Sequence, residues 1–304
     1  MTTILETFEL RAVANAKMAQ KYLSVKDLPV IPSKQVIGIE VEVENYAARN
    51  GIPQTVWNFK EDGSLRNNGA EWVSSPIEAD IAPYALHHLM NNMLSQDCCF
   101  SPRTSIHVHV NMQSWQADQV KSFVLWYTAL EPLFYKFTGR GRAKNIYCVP
   151  VIESNIIGGF ERSRLTDRIA QWSKYTGLNI HPLSSLGTIE FRHMHGTFDI
   201  VKVCTWIRII CRLCDWVNSK EVSEHRARLS TLNDTTDYPS LLREIFGDDV
   251  QYMKYNEYAD IRDSTNMVKF AFSQPQTLDT LAREVSLEAP FFKFKKQSVS
   301  LGDA

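Results

Sequence analysis

Val36-Ile37-Gly38-Ile39-Glu40-Val41-Glu42-Val43-Glu44 is the stretch on which the fold class turns. From Ile37 onward, apolar and polar residues alternate almost without a break, a period that belongs to a β-strand and not to a helix. Ile37, Ile39, Val41 and Val43 make an apolar face, and Glu40, Glu42 and Glu44 an acidic one. Alternate carboxylates on a strand stand roughly 6.6 Å apart, which at an effective dielectric near 20 means about 2.5 kcal/mol of repulsion per neighbouring pair. Either water screens that face on an amphipathic strand, or cations gather it into a site. Glu44, at the end of the run, is expected to be solvated.

Working outward, two further segments repeat the design. In 104–112, Ile106, Val108 and Val110 face one way and His107, His109 and Asn111 the other. In 187–194, Ile189 and Phe191 alternate with Glu190 and Arg192. Two histidines on one strand face are placed to share a cation or a phosphate. A lone Glu/Arg pair is an ion pair of small energetic value. On one sheet, however, the three segments would collect carboxylates, imidazoles and a guanidinium on a single face, a site for hard divalent cations and the phosphates they carry.

The remaining pattern supplies helices and turns. Strands are expected at 55–60 and 70–74, flanking the turn signals Asp62-Gly63 and Asn68-Gly69. Helices are expected over 4–24, 84–94, from an N-cap at Ser114 through Phe137 to Gly139, over 162–173, and from Asp199 through Val217. Past 220 the chain is more polar, with short helices expected at 239–246 and 277–286. The fold class is α+β, with a catalytic domain over 1–220 and a mostly helical C-terminal extension over 221–304 packed on it.

With 304 residues, the chain can bury a substantial core. Lys plus Arg (33) nearly cancels Asp plus Glu (34), so no global basic field points to nucleic acid. No apolar run approaches the roughly 20 residues of a membrane helix. Glu6, Glu9 and Arg11 interrupt any signal-like stretch. A reduced, cytoplasmic protein is the expectation.

In this order, the segments resemble the amidoligase family, a branch of the glutamine synthetase and glutamate–cysteine ligase fold with many phage-type members. The matching pieces are Gly38-Ile39-Glu40-Val41-Glu42, Asp62-Gly63-Ser64-Leu65, Glu71-Trp72-Val73-Ser74-Ser75-Pro76, Ile106-His107-Val108-His109-Val110 and Gly187-Thr188-Ile189-Glu190-Phe191-Arg192, with Gly196-Thr197 beyond. The resemblance implies a curved antiparallel sheet of glutamine-synthetase type that binds ATP and magnesium or manganese ions. It implies that Glu40, Glu42, Glu71, His107 and Glu190 are metal ligands, that His109 lies near the nucleotide phosphates, and that Arg192 meets the phosphoryl group in transfer. Asp62 falls in a family Asp-x-Ser element and is a catalytic candidate, although Asp-Gly is also an ordinary hairpin turn. Arg140 and Arg142, before Tyr147-Cys148, match a family arginine that could bind the nucleotide or an acidic substrate. Lys174 and Asn179 are placed like substrate-contacting residues. The implied reaction is ATP-dependent joining of a carboxylate to an amine through an acyl phosphate, with small-molecule or peptide partners.

Two other functions compete. A metal-dependent hydrolase would need the carboxylates and histidines but no nucleotide, which leaves Arg192 without a purpose. A non-catalytic binding protein would be expected to have lost some of these ligands. Cys204, Cys211 and Cys214 follow the apolar stripe of the 199–217 helix and read as packing residues, with no second Cys-x-x-Cys to complete a zinc ribbon. His193 and His195 share the phase of Ile189 and Phe191 and are expected to be structural.

Overall fold

The computed structural model describes residues 28–46, 56–66, 69–94, 98–139, 141–154, 156–233, 236–253 and 259–272. The expected helices at 4–24 and 277–286 and the candidate Arg140 lie outside them.

The strands are β1 (Val36–Val43), β2 (Trp57–Glu61), β3 (Ala70–Ser74), β4 (Ile77–Glu78), β5 (Ser105–Asn111), β6 (Leu178–Asn179) and β7 (Thr188–His195). They form one seven-stranded sheet in the order β2-β3-β1-β5-β7-β6, with β4 pairing β1 beside β3. Every pairing is antiparallel. β1 is therefore interior, with β5 on one side and β3 and β4 on the other. That rules out a solvated edge for its acidic face. Glu44 is also not solvated: it is 5% exposed, and its Oε1 accepts from the Arg66 backbone N–H at 3.0 Å. Such carboxylate–amide bonds offset the cost of burying charge.

The helices are α1 (Ala82–Leu94), α2 (Ala117–Thr138), α3 (Leu165–Gln171), α4 (Ile200–Asn218), α5 (Val222–Ser230), α6 (Tyr238–Phe246) and α7 (Ala259–Ala271). β4, β6, α5 and α7 are additions to the sequence expectation, and β4 and β6 are only two residues long. The cap of α2 is Gln116, in a reciprocal capping box with Gln119, and not Ser114. Gly139, at φ 114°, does close that helix, in a backbone conformation that disfavours a side chain. Asp199 caps α4 by accepting from the Lys202 N–H at 3.0 Å. Among the described residues, no helix is long and apolar enough to cross a membrane.

The apolar face of the sheet packs on α2 and α4. Phe191 of β7 is fully buried against Phe123 and Tyr127 of α2 and Trp206 of α4, burial that stabilises by about 2–3 kcal/mol for a ring of this size. Cys204, Cys211 and Cys214 lie buried in the same layer. Trp126 of α2, Trp216 of α4 and His225 of α5 form a second aromatic cluster, tied by Trp126 Nε1–H donating to His225 Nδ1 at 2.9 Å. α7 is bound to α2 through Ser264 Oγ, which donates to the Ala129 carbonyl at 2.9 Å. With one face closed by helices, the polar face of β1, β5 and β7 is left to form a site.

One irregularity matters for that site. Between Ile106/Met194 and Val108/Phe191 the β5–β7 register shifts, so Arg192 and His193 together oppose His107. The bulge changes the phase of β7. His193 enters the core beside Phe191, and Met194 follows it there. His195, expected on that face, instead pairs with Ser105 and bonds the Thr138 carbonyl at 3.0 Å.

Candidate active site

β1, β5 and β7 lie side by side, so their polar positions form rows across the sheet. Glu40 is in register with His107, Glu42 with Glu71, and His109 with Glu190. Sequence expectation had placed these residues on one face, and the pairing brings them together. His107 sits at the centre. Its Nδ1 lies 3.1 Å from Glu40 Oε2 and 3.2 Å from Glu190 Oε1, and its Nε2 lies 4.0 Å from Glu42 Oε1.

Two sets of potential ligands share this histidine: Glu40, His107 and Glu190, and Glu42, Glu71 and His107. Within each set, one donor atom per residue lies within 4.8 Å of the others. His109 is beside the first set, with Nε2 3.3 Å from Glu40 Oε1 and Nδ1 3.1 Å from Thr188 Oγ1.

Three further side chains hold this array, and sequence reading assigned none of them the role found here. Ser105 donates from its backbone N–H to Glu42 Oε2 at 2.8 Å, and its Oγ lies 2.6 Å from the same oxygen and 2.7 Å from His107 Nε2. It precedes His107 by two residues, so the same alternation extended one step would have marked it. Asn179 lies opposite Glu190 on β6, and its amide donates to Glu190 Oε2 at 2.6 Å, which orients the carboxylate. Arg142 donates from Nε to the His193 carbonyl at 3.0 Å and from Nη2 to the Arg192 carbonyl at 2.7 Å. The bulge residues thus gain donors from a guanidinium that also lines the cleft.

The cleft encloses about 280 Å³ above Glu40, Glu42, Glu71 and His107. Asp62 and Ser64 border it, as do Arg103, Arg142, Asn145, Tyr147, Tyr175 and Arg192. Asp62 Oδ1 accepts from the Ser64 N–H at 2.8 Å, which fixes the turn just after β2. Arg192 pairs with Glu190 Oε1, and its Nε donates to the Tyr147 carbonyl at 3.2 Å.

The electrostatics follow from crowding in a buried place. Burial alone would raise the Glu40 carboxyl, but His107 and His109 hold it well below the ordinary range. Burial likewise opposes ionisation of Glu190, and His107, Arg192 and His109 outweigh it. His107 is raised despite burial and Arg192, because Glu40, Glu190 and Glu42 surround it. Glu71 is the carboxyl left over: burial and the charge of Glu40 push it up to about 7.

A buried face whose carboxylates exceed its cations, with an imidazole between them, has the donor chemistry of a hard divalent cation. The residues fit such an ion. A protein family model described as "putative amidoligase enzyme" matches residues 33–218, from just before β1 to the end of α4. No curated protein matches the chain.

Proposed function

The chain belongs to the amidoligase family, and from that premise we propose that it is an ATP-dependent ligase joining a carboxylate to an amine through an acyl phosphate. The observation that carries the reading is the convergence of Glu40, Glu42, Glu71, His107 and Glu190 beneath a cleft that also holds Arg192. A hydrolase would use the carboxylates and the histidine but has no need of a guanidinium beside them.

In this reading, Glu40, Glu42, Glu71, His107 and Glu190 hold magnesium or manganese. Such ions neutralise phosphate oxygens and orient a nucleotide for in-line transfer. Arg192, fixed by Glu190 and by the Tyr147 carbonyl, meets the charge that spreads over the phosphoryl group in transfer. His109 lies beside the phosphates. The γ-phosphoryl group passes to a carboxylate oxygen of the substrate and ADP leaves. The amine nitrogen then bonds to the acyl carbon, the carbon–oxygen bond to phosphate breaks, and phosphate departs. An acidic side chain bordering the cleft takes the proton that the amine loses.

The test is chemical trapping. With ATP, magnesium and a carboxylate pool, hydroxylamine should replace the natural amine and yield a hydroxamate, with one ADP and one phosphate per product. Arg192→Ala should lower turnover by about 10²-fold or more, because its charge counts most in the transition state. Hydroxamate formed without ATP, or release of AMP and pyrophosphate, would overturn the acyl-phosphate reading.

A further inference from the structure

The cleft runs across the sheet, and its two ends differ in chemistry. The loop carrying Asp62 and Ser64 joins β2 to β3 at one margin, and Tyr175 precedes β6 at the other. The first end offers Asp62, Ser64 and Arg103. The second offers two aromatic rings, Tyr147 and Tyr175, which are 42% and 41% exposed. The large rings of this protein are mainly core residues: Trp57, Trp72, Trp126 and Trp206 are at most 2% exposed. Two half-open rings side by side in one polar cleft call for a partner.

We propose that Tyr147 and Tyr175 form the base subsite of the cleft, a corner of two aromatic rings on which the heterocyclic base of the nucleoside triphosphate stacks. The inference rests on the nucleotide-dependent reading above. Ring centroids 5.6 Å apart at 67° make an edge-to-face pair. Such a pair covers one edge and one face, so it leaves aromatic surface open to a third ring.

The corner is preorganised. Asn145 Oδ1 accepts from the Tyr147 N–H at 2.9 Å, and the Tyr147 carbonyl accepts from Arg192 Nε at 3.2 Å. The Val149 N–H donates to the Tyr175 carbonyl at 2.7 Å, and the Gly177 N–H donates to the Val149 carbonyl at 2.8 Å. The two loops are thereby stapled by backbone bonds around the Val149–Thr176 bridge. Lys174 Nζ lies 5.0 Å from the centre of the Tyr175 ring and adds a cation–π contact at the same corner.

Position favours a base over the carboxylate or the amine. Arg192, the residue assigned to the phosphates, is bonded to the backbone of Tyr147 itself. A ligand whose charged end meets Arg192 and whose neutral, planar end meets two rings has the chemistry of a nucleotide. A carboxylate finds its complement at the other end, in Arg103. Tyrosine suits the task, because it presents a large ring with only two side-chain torsions to order.

The experiment compares magnesium ATP with magnesium tripolyphosphate, which keeps the phosphates and lacks the base. Isothermal titration is run on the unaltered protein, on Tyr147→Leu and Tyr175→Leu singly, on the double variant, and on Tyr175→Trp. Stacking is worth roughly 5- to 150-fold in affinity per base, so the unaltered protein should prefer ATP by about tenfold or more. Each single leucine variant should shrink that preference, the double variant should abolish it, and Tyr175→Trp should keep it. Tripolyphosphate affinity should stay constant throughout, which also certifies that each variant folds. ATP affinity unchanged in the single leucine variants, with tripolyphosphate still bound, overturns the subsite alone. Failure of the unaltered protein to bind either ligand overturns both the subsite and the ligase reading.

Discussion

Arg142 holds Arg192 by its backbone: the Arg142 Nη2–H donates to the Arg192 carbonyl at 2.7 Å, on the strand bulge that faces His107. With Nε on the His193 carbonyl, two of its nitrogens are committed to carbonyls of the bulge. Arg142→Lys keeps the charge but replaces a planar fork with a point donor. It should cost about 1–3 kcal/mol in chemical denaturation, the range for leaving a buried acceptor unpaired. Unchanged stability would show that the guanidinium is not what holds the bulge.

Glu42 and Ser105 bear on the proposed metal site. Glu42→Gln retains an oxygen for the Ser105 N–H and hydroxyl but removes a charge from the ligand set. The fold should survive, and manganese affinity should fall by on the order of tenfold or more. Ser105→Ala, which removes only an orienting partner, should weaken it by about 10- to 100-fold at most. Titration calorimetry with manganese reads both, and an unaltered affinity in Glu42→Gln would remove Glu42 from the ligand set.

Glu131 gives a pH prediction in the buried core. It is buried within α2, and it accepts from the Tyr127 hydroxyl at 2.6 Å and the Val151 N–H at 2.8 Å. Burial nonetheless pushes its carboxyl up from 4.5 to about 7. Between these values the native state keeps a proton that the unfolded chain has released, so stability falls as pH rises through the window. The fall should amount to a few kcal/mol. Glu131→Gln cannot titrate and should flatten the slope of stability against pH there, whatever its effect on the absolute level. Urea denaturation at several pH values measures this, and a slope equal to that of the unaltered protein would refute it.

Cys211 and Cys214 should behave as packing residues. Burial pushes the Cys211 thiol up to about 12 and Cys214 well above its usual value, which disfavours the thiolate that zinc requires. The double alanine variant should lose about 1–3 kcal/mol of stability in total and keep its manganese affinity. Stoichiometric zinc in the unaltered protein, lost in that variant, would contradict the packing role.

Strand periodicity by itself determined a great deal here. Alternation at 36–44, 104–112 and 187–194 was enough to put Glu40, Glu42, His107, His109, Glu190 and Arg192 on polar strand faces, because side-chain direction in a strand follows from position alone. Helical periodicity supplied α4, whose apolar stripe is a local property of the chain, and Gly139 marked the end of the long helix α2. What sequence could not decide is which strands are neighbours, since pairing joins residues far apart in the chain. Only the tertiary structure made β1 interior, buried Glu44, and set Ser105 and Asn179 against the carboxylates. Only it revealed the bulge opposite His107, whose extra residue shifts the phase of β7 and sends Met194, not His195, into the core. The corner formed by Tyr147 and Tyr175 is equally invisible in the sequence. It exists because two loops, separated along the chain by α3, are stapled together by backbone hydrogen bonds that carry no side-chain signature.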